Sequence, residues 1–167
     1  YVEVPDNNEP ISVTPLYTDV GFWKVFTFRF LHGKSFTQAD IDAKRREVVL
    51  PVSVARKLFA TDDVVGRRFN MDAQEYRVCG VVEDVSAATP SSVGDMWLPI
   101  TLNSWVTSDA TGKLVGSVGI YMTAPDAEDK EALKEEVREV FRKLNLASDK
   151  YMNLSLIHIS EPTRLDV

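Results

Sequence analysis

The side chains able to do chemistry in this chain are few and poorly spaced for it. Among 167 residues there are two histidines, His32 and His158, and one cysteine, Cys79. A Ser-His-Asp site needs a histidine as its base. His32 sits beside Gly33 and reads as a surface turn residue, while His158 lies in an atypical tail. No Gly-x-Ser-x-Gly elbow occurs, and no Gly-x-x-x-x-Gly-Lys-Ser/Thr loop to cradle phosphates. One cysteine and two distant histidines do not make a tetrahedral zinc set. A lone thiol within a strand reads as a small buried hydrophobe. It cannot close an intramolecular disulfide, and so leaves the redox compartment open. The acidic pairs Asp62-Asp63 and Glu83-Asp84 suggest calcium, but neither has the spacing of an EF-hand loop. Carboxylates paired as in a glycosidase are not distinguishable from chance among 25 acidic residues. The residues therefore point to no catalytic side chain, no cofactor and no metal ligand.

Composition narrows the partners. The chain is 44% hydrophobic and 26% charged, an ordinary globular balance. Its net charge of −6 opposes a nucleic-acid binder, which needs a basic face. The triplet Lys44-Arg45-Arg46 is too short to reverse that and reads as a solvated turn. Neither a signal peptide nor a spanning helix is visible. The apolar stretch Phe22 to Leu31 is short and carries Lys24 and Arg29. Trp23, Trp97 and Trp105 are the side chains through which a free-standing surface module would hold a glycan or peptide.

The elements that would position any site centre on Val48 to Asp84. Val48, Val49 and Leu50 form a β-branched apolar run, a buried strand stopped by Pro51. Ser53 is placed to cap a short helix over Val54 to Phe59. Gly66 permits a bend, Arg67 to Asn70 is extended, Met71 to Gln74 is a hairpin turn, and Tyr76 to Val82 is the best strand. Gly80 within that strand predicts a bulge or a close backbone approach.

Upstream, Ile11 to Tyr17 reads as a strand, and Asp19 as the cap of a one-turn helix around Gly21 to Lys24. Phe26, Phe28 and Phe30 alternate with Val25, Thr27 and Arg29, which predicts a strand with one aromatic face. Core burial is its expected role, an exposed platform the alternative. His32 to Lys34 reads as a turn, and Thr37 with Asp40 as an N-terminal cap pair. Downstream, Ser86 to Asp95 and Thr107 to Lys113 are polar loops. Met96 to Leu102, with Pro99 inside, predicts an edge strand. Leu114 to Thr123 predicts a strand facing Val118, Ile120 and Met122 one way. A helix follows from Asp126 to about Leu144, C-capped by Asn145, with a stripe of Leu133, Val137, Val140, Phe141 and Leu144 expected to pack on that strand. Acidic residues at its start and basic ones at its end suit the helix dipole.

The order of these motifs resembles the extracytoplasmic domain of MacB/FtsX-type ABC transporter permeases over roughly Ile11 to Leu146. The resemblance rests on Val48 to Leu50, the short helix ending in Leu58-Phe59, Val65-Gly66-Arg67, and the strand Tyr76 to Asp84. Phe22, Phe26, Phe28, Leu31, Gly33 and Phe36 match the aromatic entry of that family. It implies an α+β fold: a β-rich lobe over residues 1–115 joined to a partial α/β lobe over 116–154. It also implies a non-catalytic domain lying in the periplasm, its permease in the cell inner membrane. The partners so implied are a cytoplasmic ABC ATPase acting through the intact permease, a second permease copy, and a periplasmic adaptor protein or cargo. Gly33, Gly66 and Gly80 match as structural turns. The last segment, 155–167, contains SLIHISEPTR, which resembles a translated adapter peptide; it is expected to be non-native and to form no part of the core.

Overall fold

The computed structural model describes residues 2–4, 7–85, 92–104 and 119–147. The chain divides into two compact units, Tyr1–Thr111 and Gly112–Val167. The first holds β1 (Val2–Val4), β2 (Asn7–Ile11), β3 (Pro15–Thr18), α1 (Phe22–Val25), β4 (Phe30–Gly33) and α2 (Gln38–Asp42). It continues through β5 (Glu47–Pro51), α3 (Val52–Phe59), β6 (Arg68–Met71), β7 (Gln74–Val82) and β8 (Met96–Pro99), ending in a 3-10 turn over Ile100–Leu102. One mixed sheet runs β2-β1-β6-β7-β5-β8-β3, and β4 pairs with the second half of β7. An α+β fold is therefore present, as the sequence implied.

The valine run explains the centre of the sheet. Val48, Val49 and Leu50 are all fully buried in β5, between parallel β7 and antiparallel β8. A strand covered on both faces needs a continuous apolar run rather than an alternating one. Val48 and Leu50 join a cluster with Ala55, Leu58, Phe69, Met71, Val78 and Leu98. Val49 joins the opposite cluster with Phe22, Phe36, Ile41, Val82 and Trp97. The register of β7 against β5 shifts at Cys79, where Val48 faces Val78 and Val49 faces Gly80. That extra residue lets both Val78 and Val81 reach the α3 side despite their odd spacing. The expected bulge in this strand is thus present. So is the expected hairpin: Asp72 and Ala73 both have positive φ, +50° and +59°, between the paired Met71 and Gln74, the backbone of a two-residue turn matched to strand twist.

Several boundaries differ from the sequence reading. Helix α3 begins at Val52 behind Pro51, not at Val54 behind Ser53. The reason is Asp84, whose carboxylate accepts from the Ser53 amide at 3.0 Å and so satisfies an end donor that a local cap would otherwise serve. Helix α1 is the one-turn helix expected around Gly21 to Lys24, with Asp19 accepting from the Phe22 amide at 2.9 Å. The strand expected over Val25 to Phe30 is instead irregular chain over residues 26–29, with β4 starting at Phe30 and taking in the expected turn at His32. Phe22 and Phe26 are a helical turn apart with centroids 4.9 Å apart, and Trp23 meets Phe28, Phe36 and Trp97 within 5.9 Å. Ring packing overrode period-two alternation, while the core role of these side chains held. Strand β8 is interior, between β5 and β3, not an edge. Pro99 is tolerated because it is the last residue of β8, and β5 pairs there only through Val49 and Trp97.

The second unit holds α4 (Ala127–Ala147). Asp126 caps it as expected, accepting from the Asp129 amide at 2.9 Å. The helix runs past Asn145, which is therefore not its C-cap. Residues 119–124 form no strand, and Ile120 and Met122 are 81% and 51% exposed. Leu133 and Val137 are only half-buried and Val140 is exposed. The expected packing of this stripe on a strand is thus overturned for the described residues: an extended segment needs a neighbour to take its backbone groups, and none pairs with it there. Residues 114–118, the loop over Thr107 to Lys113, most of Ser86 to Asp95, Trp105 and the tail from Ser155 lie outside the described residues.

Candidate functional site

The end of the sheet face left open by α1 and α2 carries a row of charged side chains. Arg68 and Arg77 are cross-strand partners on β6 and β7, and Arg77 is level with Glu47 on β5. Period-two geometry puts all three on one face. Like charges opposite each other are destabilising unless each finds a counter-ion. Here Glu75 holds Arg68 at 2.6 Å, and Glu47 takes the Nε and Nη2 edge of Arg77 at 3.0 and 2.6 Å. The Glu47 side chain is only 7% exposed whereas that of Arg77 is 51% exposed, so the pair is buried at one end and wet at the other. The Glu47 carboxylate raises the Arg77 guanidinium pKa, through the hydrogen bond first.

Beside this pair lies a cleft of about 170 Å³, lined among others by Lys34, Phe36, Asp40, Val65 and Cys79. Its wall at α2 is fixed by the capping box foreseen from the sequence. Thr37 donates its amide and hydroxyl to the Asp40 carboxylate at 2.8 and 2.6 Å, and the Asp40 amide returns a bond to the Thr37 hydroxyl. Those bonds, with Arg45 at 2.9 Å, hold Asp40 below its ordinary range. Gly66 also lines the cleft, with φ +87°, the bend its sequence position called for.

Cys79 forms part of the floor. Its thiol donates to the Val48 carbonyl at 3.3 Å, and burial pushes its pKa up to about 12, with Glu47 adding to the rise. A thiol that stays protonated is a poor nucleophile. Native protein at pH 8 is therefore expected to react with a disulfide reagent far more slowly than protein in urea; equal rates would show the thiol to be accessible. The sign for stability follows. With the folded pKa raised, the protonated thiol contributes fully below its unfolded value, and that contribution is lost as pH climbs toward the folded value of about 12.

The other candidates are placed apart. His32 Nε2 lies 3.7 Å from Asp62, which Arg56 already holds. Glu83 pairs with Arg29 at 2.8 Å, and Asp84 serves as the cap of α3. Neither acidic pair gathers ligands, and among the described residues no group of three His, Cys, Asp or Glu side chains could hold a metal. Lys44, Arg45 and Arg46 form an exposed turn, with Lys44 at φ +51°. Trp97 is fully buried and Trp23 is packed among aromatic rings, which removes both as surface platforms for a glycan. The sequence reading missed Glu47, Arg77 and Lys34. The first two are 30 residues apart, and only parallel pairing makes them neighbours, so no local signal marked them.

Residues 2–140 match the family described as MacB-like periplasmic core domain. Over 92 residues the chain is 28% identical to the macrolide export ATP-binding/permease protein MacB of Chromobacterium violaceum, covering 55% of this chain and 14% of that protein. The chain thus spans a small part of that relative. Among solved structures, it is similar to a domain assigned to a permease of Porphyromonas gingivalis, with a TM-score of 0.58, 22% identity, and coverage of 85% of this chain and 64% of that one. It is also similar to the extracellular domain of the noncanonic ABC-type transporter YknZ from Gram-positive bacteria, with a TM-score of 0.51, 19% identity, and coverage of 62% and 52%. At these identities the two structures speak for the fold. No helix among the described residues is long and apolar enough to cross a membrane.

Proposed function

Because the chain belongs to the MacB-like periplasmic core domain family, we propose that it is a non-catalytic transmitter in an ABC transporter permease of the inner membrane, coupling cytoplasmic ATP hydrolysis to work outside. The family match over residues 2–140 carries the reading. A transmitter needs a rigid body and a surface whose partner contacts differ between two states. The sheet centred on β5 and β7, with side chains fully buried on both faces, suits the first requirement. Its partners on this reading are the ATPase acting through the membrane part, a second permease copy, and an adaptor protein or cargo. The loops 86–95 and 107–113 are the candidate contacts, since recognition is commonly carried by polar loops on a scaffold. The unit containing α4 would belong to the α/β lobe and the tail from Ser155 would take no part.

The test uses the full permease with its ATPase. Cross-linking the β-rich units of two copies is expected to block transport while leaving ATP binding intact. Transport at the normal rate, or ATP or glycan turnover by the 167-residue chain alone, would overturn the reading.

A further inference from the structure

The four charged side chains that line the cleft, Lys34, Asp40, Glu47 and Arg77, sum to zero, but Asp40 takes its counter-ion from Arg45 outside the lining, which leaves one lysine over. Asp40 is held by Thr37 and Arg45, and Glu47 by Arg77. Lys34, which lines the same cleft, has no carboxylate partner among the described residues. The Nη1 group of Arg77 takes no part in the fork to Glu47, and this side chain is half-exposed. Two cationic groups thus stand at the mouth with donors to spare, in a chain whose net charge is −6. Next to them the lining is apolar: Phe36, Val65 and Val78. Val65 is 44% exposed, and beyond Gly66 the space is open, with nothing within 4 Å of where a Cβ would stand. The volume, about 170 Å³, is on the scale of a single side chain rather than of a drug-sized ligand, for which pockets are roughly 300–1,000 Å³.

We propose that this cleft docks an acidic side chain of a partner polypeptide, flanked by an aliphatic residue. The carboxylate meets Lys34 and the outer edge of Arg77, and the aliphatic group covers Val65. Charge complementarity selects the acid, since both carboxylates of the cleft already have counter-ions and a cationic visitor would find none free. The exposed valine selects a polypeptide segment over a bare anion, because burying Val65 requires a neighbouring apolar group. The inference rests on the partner-contact part of the proposed function, but its test involves no transport, so either can fail while the other stands.

The experiment is a titration of the isotope-labelled full chain, followed by amide shifts, with three short blocked peptides identical except at a central leucine–glutamate, leucine–lysine or serine–glutamate pair. The leucine–glutamate peptide is expected to move the amides of Lys34 to Thr37, Val65, Gly66 and Val78 and to bind tighter than the other two. Lys34→Glu is expected to weaken it about fivefold, the scale of one exposed ion pair, and to favour the leucine–lysine peptide instead. Val65→Asp should abolish the advantage of leucine over serine. Both side chains are at the surface, so both variants are expected to fold. Shifts that appear elsewhere, ignore the charge of the peptide, or are reproduced by isovalerate alone would overturn the proposal.

Discussion

Trp97→Ala is expected to unfold a large fraction of the molecules or to lower stability by about 3–5 kcal/mol, the range for truncating a buried large aromatic. Trp97 is fully buried in the interior strand β8. Its ring meets Phe28 at 5.2 Å and Trp23 at 5.9 Å, and its register neighbours are Leu16 on β3 and Val49 on β5. Removing it opens a hole in the middle of the second cluster, where rigid rings collapse poorly. One term works the other way: the Nε1 group is buried with no hydrogen-bond partner among the described residues. An unpaired buried donor costs about 1–3 kcal/mol, so its removal offsets part of the loss and moves the result toward the lower end of the range. Trp97→Phe keeps most of the ring and deletes that donor, and should cost much less than Trp97→Ala. Urea unfolding followed by circular dichroism measures both. A cost for Trp97→Ala below about 1 kcal/mol would contradict full burial.

The second large effect is expected at Gly33. Its φ is +66°, and a Cβ added there would stand 2.2 Å from the Cys79 carbonyl oxygen and 3.1 Å from its carbon. These are backbone atoms in the bulge of β7, bonded to the Lys34 amide at 3.1 Å, so they cannot swing aside as a side chain would. Gly33→Ala therefore adds overpacking of about 1–3 kcal/mol to a left-handed penalty of about 1–2 kcal/mol. Gly66 is the control. Its φ is +87°, yet no atom lies within 4 Å of the place a Cβ would take, so Gly66→Ala should show the backbone penalty alone. Thermal unfolding of the two variants separates the terms: Gly33→Ala must be the worse by more than about 1 kcal/mol. Equal losses would mean that β4 does not approach the bulge this closely.

These two positions show how unevenly the fold was written along the chain. Composition and local pattern sufficed for features whose cause is local. The β-branched apolar run Val48 to Leu50 marks a buried strand, and all three side chains are fully buried. The capping box of Thr37 and Asp40 closes over three residues, and the hairpin at Asp72-Ala73 over two. Gly80 marked its own close approach: a Cβ there would lie 2.6 Å from the Lys34 carbonyl. The order of those motifs was enough to suggest the family, which residues 2–140 match.

What the sequence by itself left undetermined depended on contacts between distant segments. The stretch from Val25 to Phe30 alternates like a strand, but its rings pack against Trp23 and against Trp97, more than sixty positions away, and residues 26–29 are irregular chain instead. Asp84 looked like the end of a strand and is the cap of α3, 31 residues earlier in the chain. Pro99 argued for an edge, and only the placement of β3 beyond β8 made that strand interior. The cleft is the extreme case. Glu47 and Arg77 meet because β5 and β7 run parallel, in the register that holds up to the bulge at Cys79. Parallel neighbours are joined through a crossover rather than a tight turn, so no short-range signal records which residues stand side by side. The sequence determined which segments had to be buried. The tertiary structure decided which charged side chains were left facing one another beside Lys34, since side chains far apart in the chain come together only through pairing across strands.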